Sequence, residues 1–470
     1  MKWAKQIFAA ALFCVISGPA DALTFEQARH LLARTGFGLA SPAEIEAILP
    51  LGYEQAVDRI LDGVKTEATT PVPEFMATPS SRPRGKEKTA ENRKAFRRLV
   101  NSDKKALKSW WVREMVTTAS PFTEHMVLFW HNHFVSEMRK VKLGNMMYQQ
   151  NAIFRKQALG NFATMVRDVS KGPAMLVYLD GNKNKRGKPN ENFAREFLEL
   201  FTMGEGQGYT EQDIKEAARA FTGWAVNPKT GKFVFNKKQH DTDRKTIFGR
   251  SGNFDGDDVI DLVLSRDRPA VFIIEKLWQE FVSQKLDSVE IHKIADQFRG
   301  SKYNIRDAMK GILMSKGFRQ PSVVGQLIKS PVELIIGSFR LTEIEALPAS
   351  RVQNQLRQLG QDILDPPDVK GWRGHQNWIT SETILKREQF ANFFMRGVRL
   401  PGDLAMADDS MGQEKYSATW PDKLIVEKGA DVASVSRHLL SHQPSLQRST
   451  NGKNLNLIKN LILDPVYQLK

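Results

Sequence analysis

From residue 105 onward, apolar residues recur at three- and four-residue spacing and the runs stop at glycines, the pattern of helices that bury one face. Residues 24–62 read as a series of shorter helices, with Ser41 before Pro42 as a start signal and Gly52 as a break. Residues 64–95 contain four prolines and no helical period, which predicts an exposed insert. Strand-like alternation is confined to GKFVFNKKQHD at 231–241, enough for one small hairpin. The stretch 401–430 reads as loop, and a last helix is expected near Asn454 to Leu463. No repeat of 20 to 50 residues is present. The expected fold is therefore mainly α: a multi-helix globular domain with at most a small β-hairpin. Its expected parts are a helical N-terminal module at 23–62, an exposed basic insert at 63–108, a helical core at 109–400, and a loop-rich segment at 401–470 whose final helix packs on that core.

The first residues change the picture of where such a chain works. MKWAKQIFAAALFCVISGPADA has two lysines, an apolar run from Ile7 to Ile16, and Ala20 and Ala22 flanking Asp21, which is the pattern of a secretory signal peptide cleaved after Ala22. The apolar run is shorter than the roughly 20 residues that span a bilayer. A periplasmic or secreted protein is expected. Cys14 is the only cysteine and lies inside this leader behind the bulky Phe13, so neither a lipid anchor nor a disulfide is expected.

The formal charge is +15, and removal of Lys2, Lys5 and Asp21 leaves about +14. For an exported chain such a balance points to anionic lipid, cell-wall polymer or acidic polysaccharide rather than to nucleic acid. Charge concentrates in residues 81–108, SRPRGKEKTAENRKAFRRLVNSDKKALK, with eleven Lys or Arg against three acidic residues. That stretch reads as a basic helix able to hold an anionic surface, although such runs are most often solvated helix faces.

Candidate chemistry begins at FWHNHF, residues 129–134. Ser120 as N-cap and Pro121 at the first turn predict a helix through Phe134. At about 100° per residue, Phe122, Met126, Phe129, Trp130 and His133 share a face, whereas His131 falls nearly opposite with Val127. The two imidazoles diverge and do not form a clamp by themselves. His133 sits within the apolar stripe, where a lone histidine is usually a hydrogen-bonded core residue. His125 and His131 are expected on the flanks.

KPNENFAREFLELFTMG, residues 188–204, predicts a helix from Pro189 to Gly204. Phe193, Ala194, Phe197, Leu198 and Phe201 form its packing face, and Asn192, Arg195, Glu196 and Glu199 share a separate arc of roughly 100°. Two carboxylates with an arginine and an asparagine can hold a divalent ion or handle protons; the plainer alternative is a solvated face with Arg–Glu pairing. The next stretch, GYTEQDIKEAARAFTGW, opens on a capping box of Thr210 and Asp213 and offers Ile214, Ala217, Ala218 and Phe221 for packing on the acidic helix. Its Glu216 and Arg219 would join a shared cleft only by turning inward. Asp255 and Asp258 read as a helix cap and not as a calcium loop, while His240 and Asp241 lie in a predicted loop and are candidate ligands.

ARHLLARTGFG, FWHNHF, the block from QNAIFRKQALGNF to PAMLVYLDG, PNENFAREFLELFTMG, YTEQDIKEAARAFTGW, HDTDRKTIFGRSGNFDGDD, KSPVELIIGSFR, DPPDVKGW and LILDPVYQLK together resemble the bacterial domain-of-unknown-function family numbered 1800. The resemblance runs over nearly the whole chain after the leader. It implies an exported, largely helical protein, often encoded beside a second exported, sulfatase-like family, and carries no established reaction. The insert at 80–108 is longer than the family pattern. KGWRGHQNW at 370–378 stands where a proline- and glycine-rich version is more usual, so the resemblance gives His375 no family role.

The working expectation is a metal-assisted hydrolase acting on an ester or phosphoester of an envelope or extracellular polymer. In it His133, Asn192, Glu196, His240 and Asp241 hold a divalent metal ion, Arg195 binds an anionic group and Glu199 moves protons. The alternative is a noncatalytic binding or assembly factor for an anionic envelope partner, with the polar stripe as internal wiring. A redox cofactor on His133 is a third reading; the chain has no C-x-x-C-H motif for covalent haem.

Overall fold

Start signals set the first helices: Ser41 accepts from Glu44 N while Glu44 reaches back to Ser41 N, with Pro42 in the first turn. The computed structural model describes residues 22–77, 83, 85–227, 230–341, 347–399, 416–417, 432–446 and 455–470. The expected leader at 1–21 and nearly all of the expected loop at 401–430 lie outside these.

In chain order come α1 (Phe25–Thr35), α2 (Pro42–Ile48), α3 (Tyr53–Asp62), α4 (Ala90–Thr117), α5 (Pro121–His133), α6 (Met138–Val141) and α7 (Gly144–Lys156). Then follow α8 (Phe162–Ser170), α9 (Pro173–Tyr178), α10 (Asn192–Glu196), α11 (Glu211–Ala220), α12 (Gly256–Leu264), α13 (Arg268–Phe281) and α14 (Ser288–Gly300). The remainder are α15 (Ile305–Met314), α16 (Lys316–Arg319), α17 (Pro331–Arg340), α18 (Ala349–Gln358), α19 (Ser381–Gly397), α20 (Val432–Leu439) and α21 (Leu455–Ile462). The protein is mainly α-helical. No described helix is long and apolar enough to cross a membrane.

Two small antiparallel ribbons interrupt the helices. β1 (Trp224–Val226) pairs with β2 (Phe233–Phe235), and β3 (Lys245–Ile247) with β4 (Arg250–Gly252). The alternating run at 231–241 supplies only β2; its partner is the strand that follows α11.

One apolar core runs from Leu23 to Tyr467 and takes residues from both ends of the described chain. Its largest fully buried side chains include Trp111, Trp130, Phe37, Phe122 and Phe154. The border expected at residue 108 falls inside α4, whose first half is exposed and whose second half, Leu107 to Met115, enters the core. α5 is the axis of this core and packs against α1, α4 and α7. Its Glu124 is fully buried and is held by Arg155 of α7 at 2.7 and 2.8 Å and by the Trp111 indole at 2.9 Å, so a buried charge is fully paired and hydrogen-bonded.

Candidate metal centre

The acidic helix is shorter than the apolar period predicts and changes its winding along its length. α10 begins at Asn192 and passes at Phe197 into a π-helical turn, Phe197–Thr202. Gly204, at φ +91°, stops it as expected. The four polar residues of the expected stripe go to different tasks. The exposed Asn192 donates its amide to the Leu179 carbonyl at 3.1 Å. Arg195 is shared among Glu211 at 2.8 and 2.9 Å, Glu199 at 3.2 Å and Glu191 at 3.3 Å. Half-buried Glu196 has its carboxyl pushed up by burial and by neighbouring Glu199.

The predicted imidazoles stand apart from that stripe. His133 Nε2 meets the Phe201 carbonyl at 2.9 Å, and the ring lies among Phe129, Trp130, Phe134, Phe162, Phe201 and Phe272. Burial holds its pKa well below the usual histidine range. His240 Nδ1 meets the Thr222 carbonyl at 2.9 Å, and Asp241 forms a two-pronged pair with Arg219 at 2.9 and 3.2 Å. Arg219 also holds Glu216 at 2.8 Å, so these groups turn inward to bind one another. Among the described residues, His133, Glu196, His240 and Asp241 form no group close enough to share an ion. An open depression of about 540 Å³ beyond Gly208 and Arg268 is lined by none of the seven expected site residues.

The expectation that His125 and His131 lie on helix flanks is corrected by the structure, which leaves each only 2% exposed. α5 is covered on every side, so its polar residues are enclosed as well. His131 packs between the Trp111 and Trp372 rings. His125 is the member of α5 that meets carboxylates. Among the described residues, the ligand atoms of His125 (α5), Glu280 (α13) and Glu333 (α17) form a group lying within 4.8 Å of one another.

The geometry around His125 is specific. Nδ1 lies 2.7 Å from the Gly36 carbonyl, an obligate acceptor, so Nδ1 carries its proton and donates. Nε2 then faces Glu280 Oε1 at 3.0 Å, so a proton or a metal cation belongs between them. Glu333 is the third residue of α17; one of its oxygens accepts from Ser330 N at 2.8 Å, which orients the carboxylate toward the cluster.

Lys470 closes the group. Its ammonium contacts Glu333 Oε1 and lies 3.5 Å from Glu280 Oε1. Burial would push the Glu280 carboxyl up, but Lys470 and His125 outweigh it and hold it well below the usual carboxylate range. Behind the group, fully buried Arg34 donates to the carbonyls of Phe281, Val282 and Val323; burial lowers its pKa to about 9 against the pull of Glu333 and Glu280.

The group borders a cavity of about 50 Å³, whose other walls include Asn132, Gln361, Trp372, His375 and Trp378. Asn132, between the two histidines of FWHNHF, fastens that wall: it accepts from Trp372 N at 2.7 Å and donates to Trp372 O at 3.2 Å. Gly371, at φ +77°, is required there, since a Cβ would sit 2.3 Å from Asn132 Oδ1.

One sequence signal pointed here. His125, Leu128, Phe129 and Asn132 follow the i, i+3, i+4, i+7 period and together form the α5 wall of the cavity. Glu333 closes a capping box with Ser330, and nothing local ties it to His125 or Glu280.

Fold and site thus define a mainly helical protein with a His–Glu–Glu–Lys cluster, buried except for half-buried Glu280, at a small cavity. Residues 30–469 match the family model described as "Protein of unknown function (DUF1800)", and the chain belongs to that family. No curated protein and no solved structure matches it.

Proposed function

We propose that the protein is an exported, metal-assisted hydrolase whose centre is His125, Glu280 and Glu333 rather than the acidic helix, acting on an ester or phosphoester of an anionic envelope polymer. The observation that carries this reading is the convergence of three ligand atoms from three helices within 4.8 Å, with the His125 tautomer set by Gly36. A divalent ion held there supplies Lewis-acid polarisation and a bound water that ionises near neutral pH. The 50 Å³ of space suits an ion with a water and not a sugar ring. A polymer is therefore met at wall residues that solvent reaches, Gly374 and His375.

The test is metal content and activity on the full chain. After loading with zinc or manganese and desalting, elemental analysis is expected to return one ion per chain, and bis(p-nitrophenyl) phosphate or p-nitrophenyl acetate is expected to be hydrolysed. Glu280→Gln and His125→Gln should each lower metal affinity at least about 100-fold and remove that activity while the helical circular dichroism stays. A wild-type chain that takes up no metal would overturn the reading. The position of Lys470 specifically favours a second one, in which the cluster is a closed ion-pair network inside a noncatalytic binding factor; Glu280→Gln would then change stability alone.

A further inference from the structure

The exposed first half of α4 is one wall of an open groove of about 660 Å³, and α6 with the residue that ends it forms the other. Arg93, Arg97 and Lys104 stand on the first wall, Arg139 and Lys142 on the second, and Lys88 lies at the end near the start of α4; no acidic residue is among the lining residues. The apolar part of the lining comes mainly from Phe96, Val100 and Met138. Lys104 and Arg139 are anchored on Asp365, at 2.5 and 3.7 Å, an acid whose side chain is only 2% exposed and which therefore lies beneath the surface. Lys88, Arg97 and Lys142 form no ion pair among the described residues. Positions 93, 97, 100 and 104 follow one helix face for eleven residues, about 16 Å of axis.

We infer that this groove is a binding site for a linear anionic polysaccharide, one carrying carboxylate or phosphate groups along its length. Two facing rows of cations with unpaired members call for a strand carrying negative charge along its length, and an apolar floor between them accepts the C–H face of a sugar ring. A bilayer meets convex surfaces, whereas this site is concave. Nucleic-acid single strands are held on several stacked aromatic rings, and Phe96 is the one aromatic in the lining. The inference rests on the groove alone and stands or falls independently of the metal centre.

Binding of the full chain to polygalacturonate, with neutral dextran as control, tests it. Wild type is expected to bind polygalacturonate and not dextran, with affinity falling steeply as salt rises. The double reversal Arg97→Glu with Lys142→Glu, both at exposed positions, should weaken binding at least about tenfold with an unchanged melting temperature. The reversal Lys232→Glu with Lys237→Glu, near β2, carries the same change of net charge and is expected to stay within about twofold of wild type. Equal losses in the two double variants would reduce the effect to net charge and overturn the site. It is overturned equally if polygalacturonate fails to bind, whether or not phosphatidylglycerol vesicles or a single-stranded oligonucleotide bind in its place.

Discussion

Three imidazoles on α5 live in three electrical settings, each fixed by what the ring nitrogens meet. His125 faces a carbonyl on one side and a carboxylate on the other. His133 faces a carbonyl and aromatic rings, and His131 lies between rings with Nε2 unpartnered and feels the charges of Asp365 and Lys108. Burial lowers the pKa of His131 to about 4 and that of His30, on α1, to about 3, and it holds His133 well below 6.5. All three therefore stay neutral in the folded chain at a pH where the unfolded chain protonates them. Above pH 6.5 they cost nothing; from 6.5 down toward about 4 the unfolded state holds more protons, so stability falls as pH falls. Each contributes a slope approaching 1.4 kcal/mol per pH unit inside that window. Urea unfolding at pH 7, 6 and 5 is expected to show this decline, and His133→Phe should flatten it by about one third of the three-histidine slope. An unchanged slope would mean that His133 takes up its proton without unfolding. At this scale the sequence showed which histidine sits in an apolar stripe, but not which one meets acids, because Glu280 is 155 residues from His125.

Elements were more legible where a cap marks them. Ser41, Thr210, Asp255 and Gly204 stop or start helices where the sequence predicts, because cap chemistry is local. The π turn, Phe197–Thr202, was not legible. An i+5 turn leaves no mark on a 3.6-residue apolar period, and Phe197, Leu198 and Phe201, the face that period predicts, are buried with the turn in place. α11 shows how a cap serves more than its own helix. Asp213 accepts from Thr210 N at 2.8 Å and Thr210 Oγ1 at 2.7 Å, and its other oxygen accepts from Phe248 N at 2.7 Å, in the turn between β3 and β4. Thr210→Ala is expected to cost about 1 kcal/mol, the ordinary value of a cap. Asp213→Ala removes the ribbon's tether as well and is expected to cost about 2–3 kcal/mol, read by chemical denaturation. Equal costs would show that the ribbon is held by its apolar residues alone.

Across the whole molecule, the residues that close the cavity come from distant parts of the chain. Lys470 lies against α13 and α17, its backbone N–H bonds to the Leu327 carbonyl, and the adjoining Tyr467 is buried with its hydroxyl on Ser338. Such convergence leaves no trace in local pattern, which is why the core and helices were readable while the centre was not. It also sets the cation of Lys470 against any metal at the same carboxylates, and the two readings of the cluster then differ in sign. In Lys470→Met without added metal, Glu280 and Glu333 lose a buried counter-charge, and a loss of about 3–5 kcal/mol is expected. If His125, Glu280 and Glu333 hold a metal, the variant no longer has an ammonium to displace and binds zinc more tightly than wild type. Zinc at about 100 times the dissociation constant returns roughly 2.7 kcal/mol, so zinc should raise the melting temperature of Lys470→Met by more than it raises that of wild type. If the cluster is only an ion-pair network, zinc leaves both melting temperatures where they were and the variant stays destabilised.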